Sequence, residues 1–393
     1  MSVDPPAPIE LDTPEDRRID RLGEIDPRTE ILSYGPDRLE EALHAWLDER
    51  DQPAYRVEQI VNWIYEQRVD AFDDMTTLPK PLRAELGESF RFPSIDLAEA
   101  RQSEDGTRKL LWRLLDEEMV ESVLIPTESR DTFCVSSQAG CALACTFCAT
   151  GMVGYKRNLS RGEIVDQVRK MLRLRGHEEH GVNLVFMGMG EPLLNWDNLE
   201  GALATLIDER YFDIGARRIT VSTVGVPEKM VALGEAFPQV RLAVSLHAAR
   251  DEVRDEIVPL NRRHPLRQLL AACRLWHDET GKILTFEYLH LPGVNDRPDD
   301  VDALVEALEE VPAKVNLMRY NPVPGAPYRR PSEEETIALR DTLRSRTKAA
   351  VTVRESRGLD IEGACGQLRL ARGRSVVAGQ TGVAELEIAE EAP

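Results

Sequence analysis

From about Thr132 to Val353 the chain alternates short β-rich runs with longer helical ones, and this rhythm restricts the fold more than any other feature. Strand-like runs occur at Thr132–Val135, Val182–Phe186, Arg218–Ser222, Leu242–Leu246, Ile283–Leu289, Lys314–Met318 and Ala350–Val353. Helical stretches fit between them at Arg161–Leu172, Asn198–Ile207, Pro227–Leu233, Pro265–His277, Val301–Leu308 and Glu333–Leu343. Such alternation implies parallel strands with right-handed crossovers. Six or seven strands are too few for an eightfold barrel. The expected fold is therefore α/β, an open, partial (β/α)6-type barrel with its chemistry at the carboxyl ends of the strands.

The flanks differ in character. Residues 1–30 are rich in Pro, Asp and Glu and read as a disordered acidic tail. Residues 31–94 carry helical spacing, with Leu39, Leu43 and Leu47 followed by Val57, Ile60, Val61 and Ile64, and form a helical N-terminal accessory domain. Residues 95–130 are a β-rich connecting segment. The barrel with a catalytic C-terminal loop occupies 131–368, and 369–393 form a tail. A chain of 393 residues has room for all of these.

Composition narrows the setting. No run of about 18 apolar residues exists, so no membrane span is expected. The start, Met-Ser-Val-Asp-Pro-Pro-Ala-Pro, has no basic or apolar region of a secretory signal. Six cysteines are too sparse for a disulfide scaffold and suit a reducing cytoplasm. The net charge of −20 argues against a nucleic-acid partner. Its distribution weakens that objection, because residues 1–50 alone hold 14 acids against 6 basic residues. Basic pairs lie beside the barrel motifs, at Lys156 and Arg157, Arg262 and Arg263, Arg329 and Arg330, Arg354 and Arg357, with Arg161 nearby. Clusters of this kind are more often solvated faces than RNA contacts.

Just beyond the first barrel strand stands Cys141-Ala-Leu-Ala-Cys145-Thr-Phe-Cys148. Iron–sulfur clusters and structural zinc both take four protein ligands as a rule. Three thiolates leave a four-iron cluster one ligand short, with an iron open to a small molecule. A zinc site completed by a distant histidine is the blander alternative. After the second strand comes Gly188-Met-Gly190-Glu191-Pro192, where glycines admit a ligand close to the backbone. Ser222, Ser245-Leu246-His247 and Asn321 end or follow later strands. A lone serine there is usually a backbone cap, but polar groups on successive strand ends of one rim fit a shared small-molecule site. Cys134 ends the first strand and Cys365 lies in a Gly-punctuated loop; either alone would more often be an inert buried thiol. Cys273, in a helical Ala-Ala-Cys-Arg-Leu, reads as core.

The cysteine triplet with the Gly-Glu-Pro element resembles the radical S-adenosylmethionine enzymes. Cys-Val-Ser-Ser-Gln-Ala-Gly-Cys from Cys134, and Gly-Ala-Cys-Gly-Gln-Leu around Cys365, narrow the resemblance to the dual-specificity adenine-carbon-2 methyltransferases of ribosomal and transfer RNA. It runs from Arg56-x-x-Gln59-Ile60-x-x-Trp63-Ile64-Tyr65 to about Leu368, departing at the acidic tails and at Val224. The resemblance implies a 4Fe-4S cluster on Cys141, Cys145 and Cys148, and two molecules of S-adenosyl-L-methionine per turnover. Cofactor contacts would come from Gly190, Glu191, Ser222, Ser245, Leu246, His247 and Asn321. One molecule would methylate Cys365. The other, reductively cleaved, would give a 5′-deoxyadenosyl radical that takes hydrogen from that methyl. The methylene would add to the electrophilic carbon 2, Glu121 would remove the carbon-2 proton, and Cys134 would attack Cys365, releasing the product by disulfide formation.

Without the resemblance, Glu121 reads as a solvent-facing residue of an alternating strand. The implied partners are 23S rRNA, tRNA at the adenine after the anticodon, and an electron donor such as flavodoxin or ferredoxin. The target adenine would be flipped or unpaired. The expected enzyme is a cytoplasmic monomer. The sister reaction at adenine carbon 8 uses the same cysteines and stays open, as does a zinc-dependent RNA-binding module without catalysis.

Overall fold

A computed structural model describes residues 25–93, 95–176 and 181–368. The expected C-terminal tail, and all of the acidic N-terminal tail before Ile25, lie outside these residues.

Apolar spacing at three- and four-residue intervals produces three helices near the amino end, α1 (Pro36–Asp48), α2 (Arg56–Tyr65) and α3 (Lys80–Ser89). Leu39, Leu43, Leu47, Val57, Ile60 and Ile64 are all buried, and they belong to the same continuous core as the barrel interior. The module is thus docked rather than tethered. Arg169, 1 % exposed on the barrel helix α4 (Arg161–Arg175), reaches into it and donates to Arg68 O at 2.9 Å and to Asp70 Oδ1 at 2.7 Å. Tyr65 and Tyr211 meet edge to face at 4.6 Å.

Ten strands form one sheet. In chain order they are β1 (Asp96–Gln102), β2 (Arg108–Arg113), β3 (Met119–Ile125), β4 (Asp131–Cys134) and β5 (Val182–Phe186). These are followed by β6 (Ile219–Thr223), β7 (Arg241–Ser245), β8 (Leu284–His290), β9 (Ala313–Arg319) and β10 (Val351–Arg354). From β4 to β10 every neighbouring pair is parallel, and helices bridge each step as the alternation predicts. Parallel strands need such crossovers, whereas β1 to β4 are joined antiparallel by short turns. The segment 95–130 therefore does not merely connect two domains. Its strands extend the barrel sheet past β4, with Val123 opposite Cys134.

The predicted strand bounds hold to within one residue at most ends. Helix ends run further than the apolar pattern does where polar residues continue the helix: α4 reaches Arg175 rather than Leu172, while its start at Arg161, fixed by a reciprocal capping box of Ser160 and Glu163, is the expected one.

Candidate active site

The cysteine loop leaves the barrel after β4 and is anchored on both sides. Gln138–Ala139 pairs with Arg157–Asn158 across its base, and Cys141 N donates to Gly154 O at 3.2 Å. Thr146 N donates to Ile257 O at 3.1 Å. Arg157 is no RNA contact: it is buried, with its guanidinium held by Asp116 and Glu163 at 2.7 Å each. Phe147, just before the last cysteine, packs edge to face on His247 at 4.8 Å. A separate small core of Leu143, Phe147, Ile257, Leu289 and Tyr320 supports the loop from below.

Cys141, Cys145 and Cys148 share the wall of a cavity of about 1020 Å³, mouth included, with Gly190, Glu191, Ser222, Ser245, His247, Asn321 and Cys365. Residues from five separate strand ends therefore meet here. Leu246 does not reach this wall. Its side chain is in the core, and its carbonyl accepts from Arg254 Nε at 3.0 Å. Among the described residues, no three His, Cys, Asp or Glu side chains are placed to chelate a single metal ion. The three thiols line one chamber instead. Burial pushes the Cys141 thiol up to about 12 and Cys145 well above its usual range, so thiolates form here only against a bound cation.

Glu191 is shaped by Gly190, whose φ of +98° and contact with Gln138 admit no side chain; a Cβ would lie 2.5 Å from Gln138 Cβ. Glu191 accepts from Leu193 N at 3.0 Å and Val224 N at 2.9 Å, leaving further lone pairs for the amino group of a ligand. Burial raises its carboxyl to about 7. His247 is neutral, lowered to about 3 by burial and by Arg254. Its Nδ1 accepts from Leu289 N at 3.1 Å, so the ring proton sits on Nε2.

A second cavity adjoins the first, lined by Val123, Cys134, Arg354, Arg357 and Cys365 among others. Cys365 lies on the wall common to both cavities; Cys134 lines only the second. Both are free thiols, as are the other four cysteines, and Cys273 is fully buried in a helix as expected. Ala149 N donates to Gly366 O at 2.8 Å and Thr150 Oγ1 to Leu368 O at 2.7 Å, which joins the two cysteine-bearing loops. Burial, and then the Cys365 sulfur, push the Cys134 thiol up to about 12. Glu121 reaches neither wall, but it is not solvent-facing: it is 2 % exposed, with Oε1 3.4 Å from Lys109 Nζ.

Three buried or half-buried ions here are not read as site residues from the sequence, although Arg354 stands in one of its basic pairs. Glu287 lines the first cavity, accepts from Asn316 Nδ2 at 2.9 Å, and is raised chiefly by burial. Arg354 is held charged chiefly by the Cys365 sulfur and then by Glu287. Arg254 is 1 % exposed and binds carbonyls of the loops after β6 and β7. A lone acid inside the apolar run Leu284–Leu289 is a signal that could have found Glu287; Arg254 sits in a charged stretch that gives none.

Comparison with known proteins agrees in extent and kind. The radical SAM superfamily model matches residues 135–308, and the ribosomal RNA large subunit methyltransferase N-terminal domain matches 37–91. A probable dual-specificity RNA methyltransferase RlmN of Akkermansia muciniphila is 44 % identical over 343 residues, covering 85 % of this chain and 95 % of its own. A dual-specificity RNA methyltransferase RlmN of an Anaeromyxobacter species is 44 % identical over 349 residues, 87 % of this chain and 91 % of that one. The crystal structure of a radical SAM methyltransferase from Sphaerobacter thermophilus superposes with a TM-score of 0.82 at 43 % identity, covering 87 % of this chain and 99 % of that chain.

Proposed function

The chain belongs to the dual-specificity RNA methyltransferases, and on that premise we propose that it methylates carbon 2 of adenine, in 23S rRNA and in tRNA just after the anticodon. It is a radical S-adenosylmethionine enzyme. When bound, the cluster and two molecules of S-adenosylmethionine per turnover would supply an electrophilic methyl group and, after one-electron cleavage, a hydrogen-abstracting radical. Everything else falls to the chain. Cys141, Cys145 and Cys148 would hold the cluster, and Glu191, Ser222, Ser245, His247 and Asn321 would bind S-adenosylmethionine, with Gly190 leaving it room.

Cys365 carries the methyl group. The observation that supports this most is its position on the wall between the two cavities, exposed to both. Cys134 opens only on the second cavity and is kept protonated at rest by burial, so it does not compete for the first methyl group. Once the carbon of Cys365 is joined to adenine and the adduct has given its unpaired electron to a one-electron carrier, Glu121, on the same face of β3 as Val123 of the second cavity, takes the carbon-2 proton. Cys134 then bonds to Cys365 Sγ as the carbon–sulfur bond breaks, and its thiol proton passes to the released carbon, which becomes the methyl group. A reductant of the thiol or flavodoxin class then supplies two electrons and two protons and returns both sulfurs to thiols. We further assign the enzyme to the cytoplasm, as a monomer served by a flavodoxin- or ferredoxin-type donor. Among the described residues no helix is long and apolar enough to cross a membrane.

Two cysteine variants test the reading. Cys365→Ala should carry no methylcysteine and no RNA. Cys134→Ala should stall with RNA covalently attached to Cys365, visible by mass after nuclease digestion. RNA-free Cys134→Ala that still methylates adenine at the normal rate would sink the mechanism, and product analysis showing methylation at carbon 8 would move the target atom. Each of Cys141→Ala, Cys145→Ala and Cys148→Ala should abolish iron loading; full iron and sulfide content in any of them would break the ligand assignment.

A further inference from the structure

The sheet extension β1–β3 carries a buried cation that the mechanism above does not use. Lys109 on β2 is 6 % exposed and lies opposite Val123, which in turn lies opposite Cys134. Alternation along β3 puts Glu121 on the same face as Val123, one step further along. Lys109, Glu121 and Cys134 thus belong to one face of three adjacent strands. Lys109 Nζ is 3.4 Å from Glu121 Oε1, with side-chain exposures of only 7 % and 3 %. The same Nζ donates to Glu362 O at 3.4 Å, three residues before Cys365.

Neither contact is what stability alone would select. A buried ion pair loses hydration on both members, and apolar residues of equal size usually serve as well or better. A carboxylate that must receive a proton has a different need. It has to remain ionised in a dry site, which a neighbouring cation allows.

We propose that Lys109 is a positioning residue for product release, keeping Glu121 ionised and setting it in register with the loop that carries Cys365. The inference rests on the reading of Glu121 as the base. Proton transfer from carbon 2 to Glu121 neutralises the carboxylate and leaves Lys109 with the Glu362 carbonyl as a partner. No electron moves in this step. Lys109 never touches the substrate and acts through Glu121 alone.

The prediction separates stages of one turnover. In Lys109→Met, Cys365 should be methylated to the wild-type extent, and the covalent RNA adduct should form but persist at least tenfold longer. Lys109→Arg should restore most of the release rate. In a Glu121→Gln background, Lys109→Met should add no further delay. Intact-protein mass before and after nuclease treatment reads methylation and adduct separately.

If Glu121→Gln released RNA at the wild-type rate, the base assignment would fall and this inference with it. If Glu121→Gln stalled while Lys109→Met did not, only the role of Lys109 would be overturned. Loss of the methyl group on Cys365 in Lys109→Met, or an additive delay in the double variant, would mark Lys109 as structural and overturn it as well.

Discussion

At the scale of single residues, Glu191 and His247 are perturbed in ways that oppose each other with pH. The Glu191 carboxyl, raised from 4.5 to about 7, holds its proton more tightly in the folded chain, so its contribution to stability grows as pH falls from 7 to 4.5. His247, lowered from 6.5 to about 3, does the reverse: the unfolded chain takes up the proton first, so stability drops below pH 6.5. Between pH 4.5 and 6.5 the two slopes offset each other, each being at most about 1.4 kcal/mol per pH unit. Glu191→Gln should therefore make the metal-free protein lose stability on acidification, and His247→Gln should make it gain. Urea midpoints at pH 5 and pH 6.5 would measure both; identical slopes in the two variants would refute the assignment. That His247 lines the site was legible from its place after a strand. Its tautomer was not, because the Leu289 amide that sets it comes from β8, 42 residues on.

At the scale of elements, the loop carrying Cys365 is fastened to the turn between β1 and β2. Gly358 N donates to Asp105 Oδ2 at 3.0 Å, Ser103 Oγ to Asp360 Oδ1 at 2.5 Å, and Glu104 N to Asp360 Oδ2 at 3.3 Å. Gly358 has a φ of +62° and sits against Thr107, where a Cβ would come within 2.9 Å of the threonine methyl. Asp360→Ala should release two of these bonds, costing about 1–3 kcal/mol locally. Hydrogen exchange at 358–366 should accelerate while the rest of the barrel stays protected; unchanged exchange there would mean that the turn does not hold the loop. The alternation of β and α runs made the parallel strands readable almost to the residue. The turn-to-loop fastening was not readable, since its partners stand more than 250 positions apart and each reads locally as an ordinary turn residue.

At the scale of the whole molecule, the helical module and the barrel share one core, and Arg169 is the deepest polar tie between them. It is 1 % exposed and pairs with Asp166, itself fully buried, as well as with Asp70 of the module. Arg169→Met would take the ion-pair partner from buried Asp166 and leave Lys170 as its nearby cation, at a cost of about 3 kcal/mol. Denaturant unfolding should move to lower concentration, with iron content unchanged in the folded protein. An unshifted midpoint would show that the tie contributes nothing. Helical periodicity announced the module, but its docking depends on a charged residue whose burial no local pattern reveals.

The shared lining of the two cavities has an order-of-events consequence. A carrier that faces both can take its cargo on one side and hand it over on the other without its loop being moved. A chain stalled with RNA on Cys365 should accordingly still admit S-adenosylmethionine to the first cavity, and equilibrium dialysis on the Cys134→Ala adduct would register that second occupancy.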